Sequence, residues 1–217
     1  MVGPKTAEHY ALHDPDVRLM LRVKEDDAAA FEELVARYQQ RVVTLLEHLV
    51  RDRSIAEDLA QDVFLKVFLS RKTYQPAAKF ATWFFTIANN VASNARRNRA
   101  RRHEVNVASS GKSESTAVPL HEVALAASAQ MPTRRADKTE MAEIVRLAME
   151  SLSDRQRTAL LLCKFEGMSY QDIADTMGMT VKAAKSLLMR ARVNLKEILE
   201  PYMQDGVPPT AKVPDDQ

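Results

Sequence analysis

The run from Ser169 to Arg192, SYQDIADTMGMTVKAAKSLLMRAR, constrains the fold most, because its caps and stops specify helix, tight turn, helix. Ser169 caps a first helix, with Asp172 three residues on as its capping-box partner. Ile173, Ala174 and Met177 give that helix an apolar stripe, and Gly178 supplies the left-handed stop. Thr180 caps a second helix. At helical period Val181, Ala184, Leu187, Leu188, Ala191, Leu195, Ile198 and Leu199 fall on one side of it. Lys182, Ser186, Met189 and Val193 fall on the other, flanked by Lys185, Arg190 and Arg192. One side is built for burial, and the other is basic and carries a hydroxyl. Such a helix fits the major groove of DNA. The plainer alternative is a helical hairpin with a solvated basic face.

The rest of the 217 residues points to an all-α chain. Glycine is scarce, with 5 residues, and no alternating apolar pattern suggests strands. Net charge is only +2, so the placement of basic residues matters more than their number. The single Cys163 excludes an intrachain disulfide framework and reads as a buried core thiol. Histidines are scattered without metal-ligand spacing, and no phosphate-binding glycine loop or nucleophile elbow occurs, so neither a metal nor a cofactor is expected. No signal peptide or membrane-length apolar run is visible, which gives a cytoplasmic expectation with no membrane insertion.

Taken in order, residues 1–15 read as a loose tail, and Asp14-Pro15 opens a short helix. A long helix follows from about Ala28, with Phe31, Leu34, Val35, Tyr38, Val42, Leu45, Leu46 and Leu49 as its apolar set. Ser54 with Glu57 is read as the capping box of SIAEDLAQDVFLKVFLS. There Ile55, Leu59, Ala60, Val63 and Val67 form a core stripe, while Asp58, Gln61, Asp62, Leu65 and Leu69 form a second, mixed face. That face reads equally as a docking surface or as one covered by a neighbouring helix with its acids solvated.

From Lys79 to Arg102 there is no acidic residue. Trp83, Phe84, Ile87, Ala88, Val91 and Ala95 line one side; Thr82, Thr86, Asn89, Asn90, Ser93, Arg96 and Arg97 line the other, and Arg99 extends a basic end. Arginines hold phosphates, aromatics stack on bases and amides read base edges, so the stretch suits single-stranded DNA. Most of the aromatics are expected in the core, with Phe80 the candidate for exposure. Residues 104–138 read as a flexible linker with a transient helix near His121 to Ala127. A helix resumes near Thr139 with Met141, Ile144, Val145, Leu147 and Ala148, and Ser153 with Gln156 caps the next. Pro201 ends the last helix or lies just past it, leaving 201–217 as a tail.

These parts in this order resemble a bacterial sigma factor of the extracytoplasmic-function group, in the sigma-70 family. DAAAFEELVARYQQRV, SIAEDLAQDVFLKVF, FATWFFTIANN with its arginine run, and LSDRQRTALLLCKFEGMSYQDIADTMGMTVKAAKSLLMRAR carry the resemblance. It implies two small helical domains joined by a flexible linker: a sigma-2 type bundle over 16–103 and a sigma-4 type helix-turn-helix over 139–200. It implies that Asp58, Gln61, Asp62, Phe64 and Leu65 meet the β′ clamp helices of core RNA polymerase, with the β flap as a further contact. Asn90 aligns with the asparagine bordering the pocket for a flipped promoter base, with Phe80 and Trp83 beside it and Arg96, Arg97 and Arg99 on the minus 10 DNA. Thr180, Lys182, Lys185, Ser186, Met189 and Arg190 would face the minus 35 element. Relatives often carry more arginine where this chain has Leu187 and Met189, and the linker is long for the group. The implied role is a promoter-specificity subunit regulated by an anti-sigma factor, rather than an enzyme. The rival readings are a stand-alone helix-turn-helix regulator, which leaves the acidic face and the arginine-tailed helix without a purpose, and a small nuclease, for which no carboxylate set is evident.

Overall fold

The computed structural model of the chain describes residues 7–109 and 138–203. The transient helix near His121, the central linker and both chain ends lie outside them. The described residues are helical, without strands.

In the N-terminal unit α1 spans Ala7–His13, α2 Pro15–Lys24, α3 Ala28–Val50, α4 Arg53–Leu69 and α5 Phe80–Ser109. Helix α1 replaces the loose tail expected there. Asp14 caps α2, its Oδ1 accepting from the Asp16 and Val17 amides, and Oδ2 also accepts the Phe80 amide at the start of α5. One carboxylate thus fixes two helix starts that are far apart in sequence. The cap of α4 is Asp52, whose Oδ1 accepts the Ile55 amide, and not Ser54 as the capping-box spacing suggested. Either side chain can cap, and the left-handed turn at Arg51 delivers Asp52 to the helix end first. Tyr38 sits at the centre of the unit, with Phe84 and Phe80 ring centroids at 4.7 and 5.1 Å. Its hydroxyl donates to Asp16 Oδ2 at 2.6 Å, satisfying the one polar atom the ring takes inside. Val17, Met20, Leu34, Leu46, Val63, Phe84 and Phe85 complete a core in which each side chain contributes about 1.5–3 kcal/mol of burial.

The C-terminal unit holds α6 Lys138–Ser151, α7 Asp154–Lys164, α8 Tyr170–Met177 and α9 Val181–Met203. Both expected capping boxes, Ser153 with Gln156 and Ser169 with Asp172, are formed. Gly178 is left-handed at φ 61°, and Thr180 Oγ1 accepts the Ala183 amide. Pro201 does not end α9, which continues to Met203. Proline has no amide to bond back one turn, so this weakens the last turn without stopping it. On α6, Ile144, Ala148 and Met149 are buried while Val145 and Leu147 are exposed. Cys163 is half-buried at the edge of the core.

Arg157 is the largest fully buried side chain. Its guanidinium donates to the carbonyls of Met149, Glu150 and Leu152 at 2.8, 2.7 and 2.9 Å. They lie at the end of α6 and just past it, where carbonyls run out of partners one turn on; the Met149 carbonyl also accepts the Leu152 amide and the Glu150 carbonyl the Arg51 guanidinium. A planar fork of five donors can serve them together. Burial holds the guanidinium pKa below its ordinary value.

The two units touch, with α7 on α3 and α8 on α5. Carboxylates of the C-terminal unit meet cations of the N-terminal one: Glu166 with Arg41, Asp172 with Lys79 at 3.0 Å, and Asp154 with Arg96 at 2.8 Å.

Candidate nucleic-acid interface

Helix α9 presents the basic strip its sequence called for. Ala184, Leu188 and Ala191 are buried and Leu187 nearly so, whereas Thr180, Lys182, Lys185, Ser186, Met189 and Arg190 are exposed. Met189 and Val193 are uncovered apolar side chains, 62% and 42% exposed, in line with Lys182 and Ser186. The strip therefore offers an alkyl contact between cations. Leu187 faces the core and is not part of the exposed strip. Lys185 Nζ lies 5.5 Å from the Tyr170 ring centroid, close enough for a cation–π contact that holds it beside the strip.

Helix α5 needs one correction. Phe80 is 1% exposed and packs edge-on to Tyr38, so it offers no stacking surface. The Asp14 bond to its amide sets the direction in which α5 leaves its first turn, and the ring points inward. Trp83 is half-buried, its ring 4.8 Å from that of Tyr74. Asn90, Arg97 and Arg99 are exposed, and Arg97 donates to the side-chain Oδ1 of Asn94 one turn back. Arg96 Nη1 makes an ion pair with Asp154 without hydrogen-bond alignment.

Thr82 breaks the expected division of α5 into two faces, because it is buried although it belongs to the polar side. Its hydroxyl donates to Asp172 Oδ1 at 3.1 Å, and its carbonyl accepts from buried Thr176 Oγ1 at 3.4 Å, both on α8. Burial pushes the Asp172 carboxyl up, but bonds from Ser169 and Lys79 and the Lys79 charge outweigh it and leave the pKa below the ordinary value. Neither Thr82 nor Lys79 carried any sequence signal for such a contact.

On α4 the mixed face is open. Asp58, Gln61 and Asp62 are exposed, and Leu65 and Leu69 are 56% and 67% exposed, with no described helix over them. Phe64 instead turns inward, 5.5 Å from Phe84 and 6.5 Å from Phe31 between ring centroids. Ile55, expected in the core, is exposed at the start of the helix, and Ala56 takes its place inside. Among the described residues no group of three or more His, Cys, Asp or Glu could hold a metal ion, and no helix is long and apolar enough to cross a membrane.

Comparison with known proteins adds to this geometry. The model for Sigma-70 region 2 matches residues 34–102 and that for Sigma-70, region 4 matches residues 142–195. The chain is 31% identical to the RNA polymerase sigma-H factor of Pseudomonas aeruginosa, over 89% of this chain and 98% of that protein. It is 31% identical to the ECF RNA polymerase sigma-E factor of Haemophilus influenzae, over 87% and 97%, and 33% identical to the sigma factor CarQ of Myxococcus xanthus, over 83% and 95%. Among solved structures, CnrH in complex with the cytosolic domain of CnrY matches with a TM-score of 0.61 at 22% identity, over 87% of this chain and 99% of that one. The sigma factor RpoE in complex with the anti-sigma factor NepR from Bartonella quintana matches at 0.59 and 25%, over 78% and 96%.

Proposed function

The chain belongs to the extracytoplasmic-function group of the sigma-70 family, and from that premise we propose that it binds core RNA polymerase and directs it to a bipartite promoter. In this reading residues 16–103 dock the polymerase and handle the minus 10 DNA, and 139–200 read the minus 35 duplex. The observation that carries the reading is the exposed acidic and apolar face of α4, on the same chain as two basic DNA-facing helices. A stand-alone regulator has no use for that face. Asp58, Gln61, Asp62 and Leu65 form the docking surface, with Phe64 supporting it from below. Trp83, Asn90, Arg97 and Arg99 meet the minus 10 strand, and Thr180, Lys182, Lys185, Ser186, Met189 and Arg190 meet the minus 35 element.

The task is specificity rather than catalysis. Opening about ten stacked pairs at roughly 1.4 kcal/mol per step costs on the order of 14 kcal/mol. One or two captured bases return only about 1–3 kcal/mol each. The polymerase supplies the remainder, so the chain acts as a subunit in the cytoplasm, where polymerase and promoter are found. A solved relative was captured with an anti-sigma factor, which supports an inhibitor of that kind here. Co-purification with core polymerase tests the reading: retention supports it, and DNA binding with no affinity for core polymerase favours the stand-alone regulator.

A further inference from the structure

We propose that Arg155, in the first turn of α7, is a DNA-positioning residue: with Arg190 of α9 it grips a phosphate of the strand flanking the minus 35 contact, in a cleft between the two helices. The inference rests on the reading of α9 as the minus 35 helix and adds to it a residue from outside that helix. The cleft has a volume of about 290 Å³ and is lined by Arg155 on the α7 side and Arg190 on the α9 side. Ala183 and Leu187 line it between them, and the single methyl of exposed Ala183 leaves it open to solvent.

The chemistry of the cleft is that of an anion site built from side chains. Both arginines are exposed and neither has an ion-pair partner among the described residues. Arg190 makes only a long bond, 3.4 Å, from Nε to the Ser186 carbonyl of its own helix. The neighbouring acid, Asp154, is already engaged, with Arg96 at 2.8 Å and Arg157 at 3.6 Å. Gln156 Oε1 accepts the Ser153 amide at 3.0 Å, which leaves the two Nε2 hydrogens as donors on the cleft wall. Two like charges in one concavity repel each other, and an anion between them reverses the sign of that interaction. A planar guanidinium binds phosphate oxygens in pairs, so the two side chains can hold one group from both sides.

The position of the cleft selects a DNA phosphate as the anion. A helix lying in the major groove, about 12 Å wide, has a sugar–phosphate strand on each side. At about 100° per residue, Ala183 and Arg190 border one edge of the strip formed by Lys182, Ser186 and Met189, and Lys185 borders the other. On the Lys185 edge stands α8, with the Tyr170 ring centroid 5.5 Å from Lys185 Nζ. On the Arg190 edge stands the start of α7, with Arg155. Each flanking strand thus meets a helix other than α9. Phosphate contacts of this kind fix register and orientation rather than sequence, and a cation on a second helix limits how far α9 can roll in the groove.

The test is fluorescence anisotropy of the full chain with a fluorescein-labelled duplex of mixed sequence, about 30 base pairs long, titrated between about 50 and 200 mM salt; phosphate contacts need no particular sequence. One lost phosphate contact lowers the salt slope by about 0.9, so over this fourfold range Arg155→Ala should lose about 3.5-fold less affinity than wild type does. At the low-salt end it should bind severalfold more weakly. Arg155→Lys keeps the charge and should recover most of the slope. Lys66→Ala removes an exposed cation on α4, outside the DNA-facing helices, and should leave the slope unchanged. Arg155 has no ion pair to lose, so melting temperatures should stay within a few degrees of wild type. If Arg155→Ala alone melts early, Arg155→Gln is titrated in its place; early melting of both makes the side chain structural and overturns the proposal. A slope unchanged in the Arg155 variant but lowered in Lys185→Ala overturns the clamp and leaves the reading of α9 standing. Equal falls in the Arg155 and Lys66 variants reduce the effect to net charge and also overturn it. No salt-dependent binding by wild type sinks the reading of α9 and the clamp with it.

Discussion

Asp172 Oδ1 accepts a hydrogen bond from Thr82 Oγ1 at 3.1 Å, across 90 residues of sequence, while Oδ2 of the same carboxylate caps α8 through Ser169. One side chain therefore holds a helix start and a long-range contact together. Asp172→Ala should cost about 1 kcal/mol for the cap alone. Ser169→Ala tests the cap without the long-range bond. In paired thermal melts the Asp172 variant should lose clearly more than the Ser169 variant, and equal losses would show that the Thr82 bond adds nothing.

The same carboxylate sets a pH dependence. Its folded pKa lies below the ordinary value of 3.8. A depressed acid contributes stability that is present above the unfolded value and is lost as pH falls through the folded one. Stability measured by denaturant titration should therefore fall as pH drops through and below the ordinary carboxylate range, and Asp172→Asn should flatten that part of the profile. An unchanged profile would show that other carboxylates carry it.

Arg157 gives a stability prediction of another kind. Replacing it with Met fills similar volume but takes the guanidinium away from the Leu152 carbonyl and one donor each from the Met149 and Glu150 carbonyls, which keep the Leu152 amide and Arg51. Leaving buried polar groups unpaired costs about 1–3 kcal/mol each. Arg157→Met should destabilise the chain by about 1–3 kcal/mol in urea, and no measurable loss would mean that water replaces the guanidinium.

On α4, Asp58→Arg or Asp62→Arg should leave the melting temperature within a few degrees of wild type, since both side chains are exposed. Charge reversal against a complementary partner costs several kcal/mol. Affinity for core polymerase, measured by competition, should fall at least tenfold. Normal affinity in both variants would make the face a solvated one.

The DNA-facing helices should fail differently. Lys185→Ala and Arg190→Ala should weaken binding to minus 35 duplex, each lost phosphate contact lowering the salt slope by about one and each lost base contact costing about 1–3 kcal/mol. Asn90→Ala should bind closed promoter nearly normally and open it poorly, because an extracted base needs a pocket to return the energy of unstacking. A pre-melted bubble should restore its activity. Equal loss on closed and pre-opened templates, with normal binding to a single-stranded minus 10 oligonucleotide, would reject a role for Asn90 in capturing the flipped base.

The helix boundaries most legible in the sequence were those fixed by contacts a few residues apart. Ser153 with Gln156, Ser169 with Asp172, Gly178 and Thr180 act within one turn, and the structure forms each as its spacing required. The two sides of α9 follow from helical period and were legible for the same reason. What sequence could not supply was direction across long separations. Phe80 looked free beside a loop, but the Asp14 carboxylate, 66 residues away, receives its amide and turns the ring inward. Thr82 sat on a polar stripe, and only the approach of α8 buries it. Where two neighbours could do one task, as Asp52 and Ser54 could cap α4, spacing alone did not choose between them.

The most direct measurement is transcription by purified core polymerase over genomic DNA, with and without this chain, mapping the start of every transcript. The account predicts new start sites that appear only with the chain, share two short sequence boxes upstream, and vanish with Asp58→Arg or Asp62→Arg. Transcripts identical with and without the chain, while the chain alone still footprints duplex DNA, would contradict it and leave a DNA-binding protein that does not direct the polymerase.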